Sequence, residues 1–156
     1  MTGSIERHLP DPSATEALGR ALAGLARAGD VIALWGDLGT GKTVFARAFI
    51  RALSDPEEEV PSPTFTLVQT YDFAEGTIYH FDAYRLEKPE EAFELGIEDA
   101  FCDGISLIEW PGRLGSLLPF ERLDIELIHV EETQSRRAVL SGPPQWLGRL
   151  KEADGV

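Results

Sequence analysis

The sequence predicts an α/β fold, and three observations support this prediction. The continuous apolar run Val31–Trp35 is typical of a strand that is covered on both faces. A glycine-rich loop follows this run, and apolar residues then recur at helical spacing up to Leu53. Further along the chain, two pairs of strand-like segments are each joined by a short polar turn. Because 156 residues make about one ordinary domain, we expect a single domain over residues 1–156.

The first predicted helix precedes the apolar run. Ser13 is a candidate N-cap, Glu16 occupies the capping-box position, and Gly29 is a candidate terminator. Between them, alanine and leucine recur at the spacing of an amphipathic helix. The predicted order is therefore helix, strand, glycine loop and second helix.

The middle of the chain predicts a hairpin, a helix and a strand. Residues 64–73 ("TFTLVQTYDF") and 77–84 ("TIYHFDAY") are rich in β-branched and aromatic residues and flank a short turn. Residues 88–96 carry proline and glutamate at a helix start and glycine at its end. The run "ISLIEW" at residues 105–110 then predicts another buried strand.

The C-terminal third predicts a second hairpin and a last helix. Residues 122–131 alternate between apolar and polar side chains, and a polar turn separates them from a second strand-like segment at residues 136–142. Residues 143–153 are amphipathic and form the last predicted helix.

The charge and composition exclude several classes of function. Fourteen basic residues against 27 acidic ones give a formal charge of −13, which repels phosphate backbones. We therefore expect no DNA binding and no autonomous RNA binding, and a protein partner fits better. The single cysteine, Cys102, cannot form an intrachain disulfide, which is typical of a reducing, cytoplasmic setting. No secretory signal or membrane-spanning run is recognisable, so we expect no membrane partner.

The glycine loop matches a phosphate-binding motif. Gly36, Gly41, Lys42 and Thr43 satisfy G-x-x-x-x-G-K-[ST] between the predicted strand and helix. In this motif, the backbone N–H groups hold phosphate oxygens, the lysine reaches the β- and γ-phosphates, and the threonine hydroxyl binds Mg²⁺. An ordinary turn is disfavoured because the whole motif occurs in its required context. The expected binding residues are Gly36, Asp37, Leu38, Gly39, Thr40, Gly41, Lys42, Thr43 and Val44.

The expected nucleotide is ATP. Guanine-specific proteins of this kind commonly read the base with an Asn-Lys-x-Asp segment, and this chain contains no asparagine. The expected cofactors are therefore ATP and Mg²⁺. The three histidines, His8, His80 and His129, have no metal-binding spacing, so we expect them to be structural or solvated.

Three further side chains are candidates for the chemistry. Glu109 ends a predicted strand, where it could supply the carboxylate that Mg²⁺ needs or could simply be a surface acid. Asp82 lies in an apolar and aromatic segment, where a charge needs either a role or a partner such as Arg85. Thr64 follows two prolines, and its hydroxyl could sense a γ-phosphate or merely begin a strand.

These segments together resemble the TsaE (YjeE) family, the small P-loop ATPases of bacterial tRNA threonylcarbamoyladenosine synthesis. "GDLGTGKT", "PSPTFTLVQTY", "IYHFDAYRL", "ELGIEDAF" and "ISLIEWP" occur in the family's order. The resemblance implies a P-loop NTPase-type sheet with both parallel and antiparallel strands and helices on both sides. It also implies that Lys42, Thr43 and Glu109 hold ATP and Mg²⁺.

The resemblance also implies roles for residues outside the loop. It associates Asp82 with hydrolysis, Thr64 with a switch-like loop, Trp110 with activity and the region of Thr15 with adenine binding. The implied partners are the TsaD and TsaB proteins, which a weak, partner-stimulated Mg²⁺-dependent ATPase would reset between rounds of threonylcarbamoyl transfer. Contact with tRNA would be indirect, through that complex.

Two alternatives to this function remain open. One is a small-molecule kinase in which Asp82 acts as a base, and the other is a nucleotide-dependent binding module whose hydrolysis is incidental. No arginine finger is evident, although Arg85 and Arg113 are possible ones. A missing finger predicts slow hydrolysis by the protein alone.

Overall fold

One mixed β-sheet organises the computed structural model, which describes residues 3–131 and 133–153. Within these residues the sheet has seven strands: β1 (Gly3–Leu9), β2 (Val31–Trp35), β3 (Val68–Phe73), β4 (Gly76–Asp82), β5 (Ile105–Glu109), β6 (Leu123–His129) and β7 (Arg136–Gly142). Their spatial order is β1-β7-β6-β2-β5-β4-β3. The four central strands β6, β2, β5 and β4 are parallel, whereas the β1/β7, β6/β7 and β3/β4 pairs are antiparallel. The predicted mixed sheet and both predicted hairpins are confirmed.

Helices cover both faces of this sheet. The α-helices are α1 (Pro12–Ala23), α2 (Lys42–Leu53), α3 (Ile97–Asp103) and α4 (Pro144–Glu152), and 3-10 helices occupy Pro89–Leu95 and Pro111–Leu117. Neighbouring residues of β5 belong to opposite sides: Leu107 packs in a core with α1, α2 and α4, whereas Ile108 packs in a core with α3 and the 3-10 helices. This double burial explains why the central strands are continuous apolar runs.

The first helix differs from its prediction at both ends. Asp11, rather than Ser13, is the N-cap, and its side chain accepts a hydrogen bond from the Ala14 N–H at 3.0 Å. The helix stops at Gly24, and Gly29 instead belongs to the turn that leads into β2, where its N–H donates to the Gly104 carbonyl. An aspartate followed by proline is a strong helix start, because aspartate caps a helix well and proline is favoured at the first helical position.

Two further features differ from the predictions. The N-terminal strand β1 was not predicted, because it lies at the edge of the sheet and only alternate residues are partly buried. The strand β3 begins at Val68 rather than at Thr64 because a turn precedes it. The N–H of Leu67 donates to the Pro63 carbonyl at 2.7 Å, and Leu67 has a left-handed φ of 70°.

The last predicted helix is confirmed as α4. No helix in the described ranges is long and apolar enough to cross a bilayer.

Candidate functional site

The glycine loop joins the carboxyl end of β2 to the start of α2. Its backbone requires glycine at residue 36, where φ is 144° and an added Cβ would lie 2.6 Å from both the Leu127 carbonyl oxygen and the Thr40 hydroxyl oxygen. At the other end of the loop, Gly41 precedes α2 with a left-handed φ of 106°, and no side chain caps the helix. The first N–H groups of a helix carry partial positive charge, so this uncapped end suits an anion.

A cavity of about 300 Å³ lies beside this loop. Nine of the predicted site residues line it: Leu38, Gly39, Gly41, Lys42, Thr43, Val44, Thr64, Asp82 and Glu109. Ser62 and Trp110 complete its wall. Residues from three distant parts of the sequence therefore meet at the carboxyl edge of the parallel strands, which is where open α/β sheets bind ligands.

A threonine and a glutamate form the candidate metal site. The Thr43 hydroxyl donates to the Glu109 carboxylate, with Oγ1 at 3.0 Å from Oε1 and 3.2 Å from Oε2. Hydroxyl and carboxylate oxygens are ligands that Mg²⁺ accepts, so the residues present fit this ion. In the described part of the chain, no three or more histidine, cysteine, aspartate or glutamate residues are grouped to hold a metal by themselves. A metal here would therefore need further oxygens from a ligand or from water.

The amine of Lys42 lies between the loop and an aromatic ring. Its Nζ donates to the Gly36 carbonyl oxygen at 2.5 Å and lies 3.4 Å from the centroid of the Trp110 ring. Burial lowers the pKa of Lys42, and the nearby carboxylates of Glu109, Asp82 and Asp37 partly oppose this shift. Trp110 itself has a left-handed backbone, with φ 57° and ψ 49°. A non-glycine residue in this conformation is strained, and such strain is frequent at functional sites.

Asp82 is bonded to polar groups that do not neutralise its charge. Its Oδ2 accepts from the Thr64 hydroxyl at 3.2 Å, and its Oδ1 accepts from the Tyr84 N–H at 2.9 Å. The alternative ion pair with Arg85 is absent among the described residues, because the Arg85 guanidinium lies over the Phe65 ring at 5.1 Å. Asp82 is therefore a buried carboxylate that faces the cavity without a cationic side chain bonded to it.

His80 is a site residue that the sequence analysis did not identify. Its side chain is fully buried, and its Nε2 lies 2.6 Å from the Glu109 Oε2. Of the two roles expected for the histidines, structural or solvated, burial excludes the solvated one for His80. A signal was present, because His80 and Asp82 are two residues apart on one strand and so share a face of the sheet.

The remaining predicted residues lie on other sides of the loop. Thr15 and Thr40 line a smaller cavity of about 110 Å³, together with Arg136, whose guanidinium donates to the Gly39 carbonyl at 3.2 Å. Arg136 was not predicted from the sequence. Gly36 and Asp37 line a larger cleft of about 630 Å³, and Trp110 borders both this cleft and the cavity that contains Lys42.

The fold and the loop together define an α/β protein with a seven-stranded mixed sheet and a glycine loop between its strand β2 and helix α2. A family model described as "Threonylcarbamoyl adenosine biosynthesis protein TsaE" matches residues 9–139. The chain therefore belongs to the TsaE family, whose members are proteins of tRNA threonylcarbamoyladenosine biosynthesis, and the resemblance in the sequence is confirmed.

Individual relatives support this assignment. The TsaE protein of Rickettsia bellii is 41% identical over 113 residues, which cover 72% of this chain and 78% of the relative. The TsaE protein of Haemophilus influenzae is 33% identical over 138 residues, which cover 85% and 87%. The crystal structure of Bacillus subtilis YdiB superposes with a TM-score of 0.77 at 28% identity, over 97% of this chain and 95% of that one. The similarity thus extends over nearly the whole chain.

Proposed function

We propose that the protein binds ATP with Mg²⁺ and hydrolyses it slowly, as an accessory protein of tRNA N6-threonylcarbamoyladenosine formation in the cytoplasm. The observation that carries this proposal is the convergence of Lys42, Thr43, Asp82 and Glu109 on one cavity beside a glycine loop. Membership of the TsaE family supports the pathway. Hydrolysis would reset the TsaD–TsaB pair between rounds, and contact with tRNA would be indirect.

The loop and Lys42 would bind the polyphosphate. The uncapped N-terminus of α2 presents N–H donors to phosphate oxygens, and the Lys42 ammonium adds a positive charge next to them. When it is bound, Mg²⁺ neutralises negative charge on the phosphate oxygens, and Thr43 and Glu109 are the residues that would hold it. Adenine would lie near Thr15, on the far side of the loop.

Asp82 would orient the water that attacks the γ-phosphate in line. Its carboxylate lines the same cavity as the loop, and the Thr64 hydroxyl that donates to Asp82 also lines it. The hydrogen bond from Thr64 thereby helps to orient the carboxylate. Thr64 lies in the turn before β3, so this turn borders the cavity. A carboxylate without a cationic partner can accept a hydrogen bond or a proton from water.

Hydrolysis by the isolated protein would be slow because no arginine among the described residues lines the cavity. The Arg113 guanidinium lies 5.6 Å from the Tyr84 ring centroid, the Arg85 guanidinium lies over Phe65, and neither side chain lines the cavity. P-loop enzymes that receive an arginine from a partner gain about 10³- to 10⁵-fold in rate. The proposed partner would therefore act by completing the site.

The surface agrees with a protein partner rather than a nucleic acid. The formal charge of −13 disfavours direct contact with tRNA. Leu38, on the glycine loop, and Phe65, next to Thr64, are 84% and 83% exposed. A partner that contacts this side of the cavity would cover both side chains, and aromatic residues such as Phe65 are enriched at protein–protein interfaces.

A small-molecule kinase is the alternative, and one observation favours it. The cleft of about 630 Å³ beyond Trp110 is large enough for a phosphoryl acceptor, and Arg113 and His129 line it. A kinase would transfer the γ-phosphoryl group to that acceptor, whereas an ATPase transfers it to water. The two functions therefore differ in whether inorganic phosphate is released.

The experiment that tests the proposal measures phosphate release from ATP by the protein alone and with the purified TsaD–TsaB pair. Lys42→Ala is the control. We expect slow release that rises with the pair and disappears in the control. Turnover of about ten per second by the protein alone would contradict partner gating, because that is the median rate of ordinary enzymes. ATP binding without phosphate release under any condition would favour the kinase or a binding module.

A further inference from the structure

We propose that His80 is a positioning residue, which holds the Glu109 carboxylate toward Thr43 and thereby sets the affinity of the site for Mg²⁺. The inference rests on the proposed function, because it takes Glu109 as the residue that holds the metal. The observation that carries it is the contact between the His80 Nε2 and the Glu109 Oε2, which are 2.6 Å apart in the buried part of the sheet.

Two side chains are hydrogen-bonded to the Glu109 carboxylate. One bond comes from the Thr43 hydroxyl, which lies on the cavity side, and the other comes from the imidazole of His80. β4 and β5 are adjacent parallel strands, so the backbones that carry His80 and Glu109 are fixed relative to each other. Metal-binding carboxylates depend on such outer hydrogen bonds for their orientation.

A purely structural role explains His80 poorly. Its Nδ1 is buried and has no hydrogen-bond partner among the described residues, so burying the ring carries a cost. Its neighbours on the same face of the sheet, Ile78 and Leu107, are apolar core residues. An apolar side chain would fill this position without an unpaired nitrogen. Only a polar side chain that is long enough to reach the Glu109 carboxylate can form this hydrogen bond.

Three substitutions separate the hydrogen bond from the shape of the ring. His80→Leu removes the donor, and His80→Gln retains an N–H donor at about the distance of Nε2 from the backbone. His80→Asn also retains a donor, but too close to the backbone to reach Glu109. Ser106→Ala is the control, because Ser106 is the other fully buried polar residue on these two strands with an unpartnered side-chain atom.

The experiment titrates Mg²⁺ and follows the affinity for fluorescently labelled ADP, which gives the Mg²⁺ concentration at which half of the gain in affinity is reached. Binding of the same ADP in EDTA and the melting temperature are measured in parallel. We expect His80→Leu and His80→Asn to raise this Mg²⁺ concentration by about 10- to 100-fold, because loss of an outer-shell partner has that effect at metal sites. Binding in EDTA should stay unchanged. His80→Gln should restore most of the Mg²⁺ affinity, and Ser106→Ala should leave it unchanged.

Three outcomes would overturn the inference. The first is wild-type Mg²⁺ dependence in the leucine and asparagine variants, with or without a lower melting temperature, which would make His80 structural. The second is an equal loss in the glutamine variant, which would mean that the donor is irrelevant. If the leucine variant does not fold, the glutamine and asparagine pair decides. The third is a wild-type protein that binds no labelled ADP, which would overturn the proposed function itself and this inference with it.

Discussion

Asp82 and Glu109 are register partners at the last residues of two adjacent parallel strands, β4 and β5. Both residues are buried, with 4% and 3% exposure, and paired positions project to the same face of a sheet. Each carboxylate nevertheless accepts a hydrogen bond from a different threonine: Thr64 donates to Asp82, and Thr43 donates to Glu109. Two adjacent carboxylates with different partners suit two different tasks, water orientation for Asp82 and metal binding for Glu109.

This division predicts different effects of neutralising the two carboxylates. Asp82→Asn should keep Mg²⁺-dependent nucleotide binding and lower the rate of phosphate release by about 100-fold or more, which is the range for loss of a general base. Glu109→Gln should weaken the Mg²⁺ dependence as well as the rate. Single-turnover phosphate release and Mg²⁺ titration measure the two effects, with the exposed hairpin carboxylate change Asp72→Asn as control. If Asp82→Asn abolished the Mg²⁺ dependence, the assigned division would be wrong.

The lowered pKa of Lys42 predicts that nucleotide affinity falls at alkaline pH. The amine loses its proton below the usual lysine value of 10.5, because burial disfavours the charged form. Affinity for ATP should therefore decrease as the pH rises toward the usual lysine value of 10.5, whereas Lys42→Arg stays charged and should show a flat profile. Equilibrium binding over this range measures the effect.

The same group has the opposite effect on stability: as the pH rises, its contribution to the free energy of unfolding increases, whereas nucleotide affinity decreases. Between the lowered pKa and 10.5, the unfolded chain holds the Lys42 proton more tightly than the folded protein does. The contribution of this group to the free energy of unfolding therefore rises with pH over that interval. If the affinity of the wild-type protein for ATP did not change over the alkaline range, the lowered pKa that burial gives Lys42 would be contradicted.

The contact of Lys42 with Trp110 predicts an intrinsic fluorescence signal for nucleotide binding. A phosphate that recruits the Lys42 amine should change the environment of the Trp110 ring, which lies 3.4 Å from that amine. We expect the change in emission to disappear in Trp110→Phe and to persist in Trp146→Phe, because Trp146 is a buried residue of α4 and does not line the cavity that contains Lys42. An unchanged signal in Trp110→Phe would assign the change to one of the other two tryptophans.

Two helical glycines should respond to alanine substitution in opposite ways, because α1 and α2 approach closely at Gly19 whereas Gly148 in α4 has open space beside it. A Cβ at Gly19 would lie 2.7 Å from the Phe45 carbonyl oxygen, so Gly19→Ala should lower the free energy of unfolding by about 1–3 kcal/mol. At Gly148 in α4, nothing lies within 4 Å of the added Cβ. Gly148→Ala should therefore raise the free energy of unfolding by about 1 kcal/mol through helix propensity. Urea unfolding of both variants measures the difference, and destabilisation by both would indicate that α4 is packed differently.

The parts of the fold that the sequence predicted are those with a strong periodic signal. The apolar runs of β2 and β5 are buried on both faces, and the hairpin strands β6 and β7 alternate, so each pattern has one interpretation. The strand β1 escaped prediction because Ile5 and Leu9 are its main apolar residues and its pairing depends on β7, more than a hundred residues away. Local sequence carries little information about such a partner.

The candidate site was predictable where chemistry depends on a contiguous motif. The glycine loop and the acidic strand ends could be identified from their neighbours in the sequence, and the structure brings them together. For His80 the only local signal was its spacing of two residues from Asp82, and Arg136 had none, because each contacts a group far along the chain: Glu109 for His80 and the Gly39 carbonyl for Arg136. The contact of His80 follows from the register of β4 against β5, and the contact of Arg136 follows from the position of β7 beside the glycine loop.

The hydrogen bond from Lys42 to the Gly36 carbonyl has a consequence for selectivity. Because the amine already has a carbonyl and an aromatic face as partners, any ligand must outcompete both of them to recruit it. The observed affinity is then the intrinsic affinity reduced by the fraction of molecules in which the amine is free. Ligands with several negative phosphate oxygens can overcome this competition, whereas nucleosides, which carry no such charge, cannot. The lysine would thus discriminate among ligands by their charge before any chemistry takes place.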